Sequence, residues 1–105
     1  ASKVSFDRPG GTPISSGWEA KLIHWLETEE IAIEYCSSID LHTMPSLLAN
    51  YECLVIAGHD EYWTKPMRDQ AEQFVANGGN MIVLSGNTCY RAVRLEVSCL
   101  SQICR

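Results

Sequence analysis

The chain has 105 residues, 46% of them hydrophobic, with 8 Lys and Arg against 13 Asp and Glu for a formal charge of -5. That length makes one small domain with a modest core, and its scattered basic residues exclude a nucleic-acid partner, which needs Lys and Arg clustered against phosphates. No apolar segment approaches the ~20 residues that span a bilayer and no signal-peptide pattern opens the chain, so a soluble, cytoplasmic protein without a membrane partner is expected.

Lys3-Val4-Ser5-Phe6-Asp7 alternates apolar and polar residues, as a first strand does. Arg8-Pro9-Gly10-Gly11-Thr12-Pro13 is a breaker-rich loop at its carboxyl end. Ser16-Gly17-Trp18-Glu19 has the form of a capping box, and the helix it opens is expected to bury Trp18, Leu22, Trp25 and Leu26 on one face. Ile31-Ala32-Ile33-Glu34-Tyr35-Cys36 is a second strand, with the Glu34 charge marking an edge or a wet face. A loop follows over residues 37–42, after which Thr43 caps a short helix through Leu47, Leu48 and Ala49, with Pro45 in its first turn.

The uncharged run Cys53-Leu54-Val55-Ile56-Ala57 predicts a central strand buried on both faces. Thr64 caps the next helix, whose inner face is Met67, Ala71, Phe74 and Val75 and which stops at Asn77-Gly78-Gly79. Met81-Ile82-Val83-Leu84 is a fourth, buried strand, and residues 85–91 form the loop after it. This alternation predicts an α/β fold: a three-layer, mostly parallel open sheet of about four strands with flanking helices. Residues 1–96 make the domain, and residues 97–105 are an atypical tail without a clear period. No fifth strand is evident, so the domain is expected to be cut short, with an exposed edge or face that pairing with a second copy would cover. A homodimer is the expected assembly.

The five cysteines contain no C-x-x-C pair, which argues against a disulfide framework or a zinc knuckle. Cys36 and Cys53 fit as reduced small hydrophobes, whereas Cys99 and Cys104 sit in the polar tail. Cys89 follows a strand as an elbow nucleophile would, but Tyr90 and Arg91 stand where a small residue is needed, so an incidental thiol is the better reading.

Ligands of open α/β sheets bind at the carboxyl ends of strands, and there the chain carries Gly58-His59-Asp60-Glu61-Tyr62-Trp63. His59, Asp60, Glu61 and Tyr62 can serve as acid, base or metal ligand. In the competing structural reading, Asp60 and Glu61 merely cap the following helix and Trp63 plugs the sheet edge. A metal there would need a further ligand, for which His42, Asp7 and Asp40 are candidates. Arg8 can pair with a carboxylate, and Gly86 and Asn87 can shape the pocket through backbone N–H groups or a left-handed turn. Gly10-Gly11-Thr12 lacks the spacing of a phosphate loop.

Several short motifs recur together: Ser5-Phe6-Asp7-Arg8-Pro9, Trp25-Leu26-Glu27, Asp40-Leu41-His42, Gly58-His59-Asp60-Glu61-Tyr62-Trp63, Met67-Arg68, Gly78-Gly79-Asn80, Gly86-Asn87-Thr88 and Arg91-Ala92-Val93-Arg94-Leu95-Glu96. In this order, over residues 3–96, the chain resembles the C-terminal domain of the N,N-dimethylformamidase large-subunit family, which is similar in fold to class I glutamine amidotransferases. The resemblance implies an amide-hydrolysing fold with a mononuclear iron held by tyrosine and glutamate side chains. Tyr62 is the residue it carries over as a metal ligand, and the family's glutamate is expected beyond the point where the chain ends. A phenolate ligand suits a Lewis-acidic ferric ion whose bound water attacks an amide carbonyl.

The resulting expectation is a truncated glutamine-amidotransferase-like domain with a pocket of catalytic His59, Glu61 and Asn87, ligand-binding Arg8, His42, Asp60 and Trp63, and the metal ligand Tyr62. As an isolated chain it is expected to be a non-catalytic oligomeric or binding module. The alternative is a metal-dependent hydrolase of non-peptide C–N bonds in small amides.

Overall fold

The structure, a computed structural model, describes residues 17–96. The expected first strand, Arg8 and its loop, Ser16, and the tail with Cys99 and Cys104 lie outside the described residues. In chain order the elements are α1 (Ala20–Thr28), α2 (Ser38–Thr43), a 3-10 turn (Leu47–Asn50), β1 (Cys53–His59), β2 (Tyr62–Trp63), α3 (Lys65–Ala76), β3 (Asn80–Gly86) and β4 (Arg91–Ala92).

The two apolar runs do form strands. β1 and β3 pair in parallel from Cys53↔Asn80 to His59↔Gly86, with α3 as the crossover between them. Beyond their carboxyl ends the same two segments pair again, Tyr62 with Arg91 and Trp63 with Ala92. The parallel α/β class therefore holds, but the described strands make two pairs rather than one four-stranded sheet. The difference lies at residues 31–37, which run without strand pairing. There the Glu34 carboxylate accepts from the Tyr51 hydroxyl, the Tyr35 hydroxyl donates to Glu27 (3.0 Å), and Ile31 and Tyr35 stay exposed. A strand gains its stability from a packed face, and this segment has none among the described residues.

The expected loop over residues 37–42 is instead helix α2. The Ser37 hydroxyl accepts from the Asp40 N–H at 3.2 Å, and Asp40 Oδ2 accepts from the Ser37 N–H at 2.8 Å and its hydroxyl at 2.7 Å. This reciprocal box starts the helix, and it holds the Asp40 carboxyl below its ordinary value. Thr43 consequently ends α2, donating to the Ile39 carbonyl at 2.9 Å, rather than capping a helix of its own. Residues 47–50 make only the 3-10 turn.

Helix α1 also differs from expectation. Its N-cap is Glu19, which makes no side-chain capping bond, so Trp18 precedes the helix. Trp18 is 78% exposed, Trp25 53% exposed, and no residue of α1 is buried. Leu22, Ile23 and Leu26 are half-buried, so the helix is covered along part of its apolar stripe without any residue being fully enclosed.

Helix α3 follows its sequence signals closely. Thr64 Oγ1 accepts from the Met67 N–H at 3.3 Å, and Met67 Sδ accepts from the Thr64 N–H at 3.4 Å. Pro66 sits in the first turn, where no N–H is needed. The helix ends in a Schellman pair: the Gly79 N–H donates to the Phe74 carbonyl at 2.9 Å and the Gly78 N–H to the Val75 carbonyl at 3.0 Å. Gly78 supplies the left-handed turn with φ of 96°.

Met67 and Ala71 pack inward with Leu41, Leu48, Leu54, Ile56 and Trp63, and Phe74 and Cys89 border this core. Burying Met67 alone is worth ~1.5–3 kcal/mol. α2 lies on α3, where Gln70 Nε2 donates to the Leu41 carbonyl. β1 is buried on this face only: Leu54 and Ile56 point in, while Val55 is exposed. Val75 and the β3 residues Met81, Ile82, Val83 and Leu84 are exposed as well, against the expectation of buried strands. No described helix covers the second face. Among the described residues no helix is long and apolar enough to cross a membrane.

Candidate functional site

The site is built where β1 and β3 end side by side. After His59 the chain turns, and the Asp60 N–H donates to Ser85 Oγ at 3.1 Å. The Asp60 carbonyl accepts from the Cys89 N–H at 3.0 Å and from the Trp63 indole N–H at 3.0 Å. The Arg91 N–H then donates to the Glu61 carbonyl and the Val93 N–H to the Trp63 carbonyl, each at 2.9 Å. The loop that follows β3 is thus fastened alongside the loop that follows β1. To make this path Asn87 and Cys89 take left-handed conformations, with φ of 52° and 56°. For Asn that cost is small; for Cys it is strain of ~1–3 kcal/mol, of the kind that gathers at functional loops.

This fastening gathers three ionisable side chains. Glu61 Oε2 stands 3.5 Å from His59 Nε2, and its Oε1 stands 3.6 Å from Arg91 Nε. These are charge contacts longer than ordinary hydrogen bonds. The Glu61 side chain is 18% exposed, that of His59 34% and that of Arg91 65%, so the carboxylate is the enclosed member and the two basic groups face outward. Trp18 packs edge-on against His59, 5.6 Å between ring centres, and Arg91 lies over the Tyr90 ring at 5.5 Å. Burial pushes the Asp60 carboxyl above its ordinary value, with the Trp63 indole and the His59 charge opposing.

The structural reading of the acidic pair does not survive. Thr64 caps α3 and no acidic residue lies in its first turn, so Asp60 and Glu61 are not helix caps. Trp63 is 5% exposed and belongs to the core. His42 is bound through Nδ1 to Thr64 Oγ1 at 2.8 Å, which places it at the amino end of α3. Asn87 lies in the strained loop, and Arg8 is outside the described residues. Cys89 is half-buried against the core and so is not presented as a nucleophile.

Sequence reasoning missed Arg91 and Glu19. Arg91 was visible as a large residue after Cys89, but its approach to Glu61 depends on the β2–β4 register. Glu19 was masked by its resemblance to a capping residue. Its carboxylate lies against Gly58, and a Cβ at Gly58 would overlap it. A shallow groove of about 800 Å³ occurs at the opposite ends of the strands, lined by Leu48, Tyr51, Glu52, Phe74 and Gly79 among others, away from these groups.

Tyr62, the metal ligand that the resemblance implies, opens β2 and is 59% exposed. Each oxygen of Glu61 already faces a basic side chain. Among the described residues no group of three or more His, Cys, Asp or Glu could hold a metal ion.

An imidazole, a carboxylate and a guanidinium at the carboxyl ends of parallel strands define an α/β domain with its polar site in the usual place for that class. The chain belongs to the family described as N,N-dimethylformamidase beta subunit-like, C-terminal, whose model matches residues 1–105. The subunit named is beta, where the sequence motifs suggested the large one, and the match takes in the tail after Glu96. Membership makes this a dimethylformamidase-related domain. No curated protein and no solved structure matches the chain significantly.

Proposed function

We propose that the chain hydrolyses the C–N bond of small, non-peptide amides at the carboxyl ends of β1 and β3. The observation that carries this reading is the enclosed Glu61 carboxylate held between His59 and Arg91. Glu61 orients the imidazole through Nε2, which leaves Nδ1 to take a proton. Water adds its oxygen to the amide carbonyl carbon as His59 accepts a proton from it. That proton passes to the leaving nitrogen, the C–N bond breaks, and a carboxylic acid and an amine depart. Arg91 offsets the negative charge that develops on the carbonyl oxygen, and Asn87 orients the carbonyl. No step is routed through a metal.

The parallel β1–α3–β3 unit fits two layers of a three-layer, glutamine-amidotransferase-like arrangement, whose third layer would lie on the face that no described helix covers. A cytoplasmic setting goes with the free thiols of Cys36, Cys53 and Cys89. The test is incubation of the folded chain with N,N-dimethylformamide and related formamides and acetamides, with products followed by NMR. Turnover should fall by ~10²-fold or more in His59→Ala and in Glu61→Gln. A folded chain that turns over none of them, with or without added iron, overturns the reading.

One observation favours a second reading, a non-catalytic oligomeric module. Val55 on β1 with Ile82 and Leu84 on β3, which the register puts on one face, leave an apolar sheet surface exposed, such as a second copy would cover. A stable monomer at micromolar concentration in a sedimentation experiment would refute the homodimer.

A further inference from the structure

At the end of β1 a further ionisable group, Glu19, lies beside the site with no partner among the described residues. Gly58 is left-handed, with φ of 83°, and the Glu19 carboxylate fills the space that a Cβ would need. The neighbouring Trp18 rests on His59, so residues 18 and 19 together fold over the strand end beside the site. Glu19 makes no side-chain capping bond to α1, and among the described residues it has neither a hydrogen-bond nor an ion-pair partner. Its carboxylate therefore has hydrogen-bonding capacity that the described residues do not use.

The charges around it say what it can take. Glu61 faces the Arg91 guanidinium and the His59 imidazole, whereas the Glu19 and Asp60 carboxylates have no ion-pair partner among the described residues. The described part of the site therefore carries more negative than positive charge, and Glu19 is the member that comes from outside the β1 and β3 loops. A carboxylate complements an N–H donor or an ammonium.

We infer that Glu19 is the amine-side residue of this site: it binds the alkylammonium released by hydrolysis and, where the substrate is a primary or secondary amide, its N–H, while Arg91 serves the acyl end. Gly58 is the position that admits it. This inference rests on the amide-hydrolase reading. It divides the site into a nitrogen side and a carbonyl side.

The test is titration of the full chain with methylammonium chloride and, separately, sodium acetate, followed through the Trp18 indole and His59 imidazole resonances. Wild type should bind methylammonium saturably, and Glu19→Gln should raise its Kd by about tenfold or more. Acetate affinity should change by less than about twofold in the same variant. Glu19→Asp should retain part of the methylammonium binding, and Gly58→Ala should lose it as Glu19→Gln does. Should Gly58→Ala fail to fold, the Gln and Asp variants carry the test.

Methylammonium binding unaffected by Glu19→Gln, or absent from wild type up to about 100 mM, overturns the inference. So does equal loss of acetate. An inactive chain that binds methylammonium through Glu19 overturns the hydrolase reading and supports the amine site. Turnover with Glu19-independent binding does the reverse.

Discussion

Thr64 is the joint between the site and the helix that supports it, and replacing it should destabilise the whole domain. It is 3% exposed, and its hydroxyl serves two partners at once. Oγ1 accepts from the Met67 N–H, and the hydroxyl proton is free to donate to His42 Nδ1 at 2.8 Å. Thr64→Ala removes the cap of α3, which costs ~1–2 kcal/mol. It also strands a half-buried imidazole nitrogen, worth ~1 kcal/mol at the lower end of the range for such groups. The sum is about 2–3 kcal/mol, or a fall in Tm of roughly 10–20 °C for a domain of this size. Urea denaturation with an unchanged slope should return that loss, Thr64→Ser should recover most of it, and His42→Ala should lose only the smaller part. A double-mutant cycle then isolates the pair. If Thr64→Ala unfolds within about 0.5 kcal/mol of wild type, the hydroxyl does not join α2 to α3 as described.

Asp60 and Tyr62 give two further expectations. The Asp60 carboxyl titrates above its unfolded value, so the folded state holds the proton longer and loses stability as pH rises through the window just above the ordinary carboxylate range. Asp60→Asn should therefore raise Tm relative to wild type more at pH 7 than at pH 3, and a pH-independent difference between the two melting curves would contradict this. Because Tyr62 is 59% exposed and the proposed hydrolysis runs through His59, Glu61 and Arg91, Tyr62→Phe should leave iron content unchanged by elemental analysis. Stoichiometric iron whose phenolate charge-transfer band vanishes in that variant would show the opposite.

What the sequence made legible were the elements whose signals are local. The Thr64 cap, the Gly78-Gly79 stop and the two uncharged runs are complete within a few residues, and α3, β1 and β3 follow from them. The segment at residues 31–36 has strand-like composition, but composition does not decide whether a face is covered, and there the charged and phenolic groups found each other instead. Ser37-Ser38-Ile39-Asp40 was as good a capping box as any in the chain, and its helix was within reach of sequence reasoning. The His59 and Glu61 pair was visible because both lie in one short turn. Arg91 and Glu19 were not, since one arrives through strand register and the other through contact with a glycine that has no side chain to advertise it.

The parallel pairing of β1 with β3 has a consequence for how the site comes into being. His59, Glu61 and Arg91 all belong to one continuous β-α-β stretch, so the chain can assemble them by closing a single loop. Parallel pairing across a helical crossover is a non-local contact and slow to form, but it needs no other part of the chain. Glu19 comes from the amino end of a separate helix, where it meets Gly58 while its neighbour Trp18 meets His59. The order of events in folding thus becomes a chemical order, with a carbonyl-side half that matures by itself and an amine-side half that appears when α1 docks. Amide exchange should show α1 opening far more readily than β1 and β3, so the completeness of the site would be set by the least anchored helix of the domain.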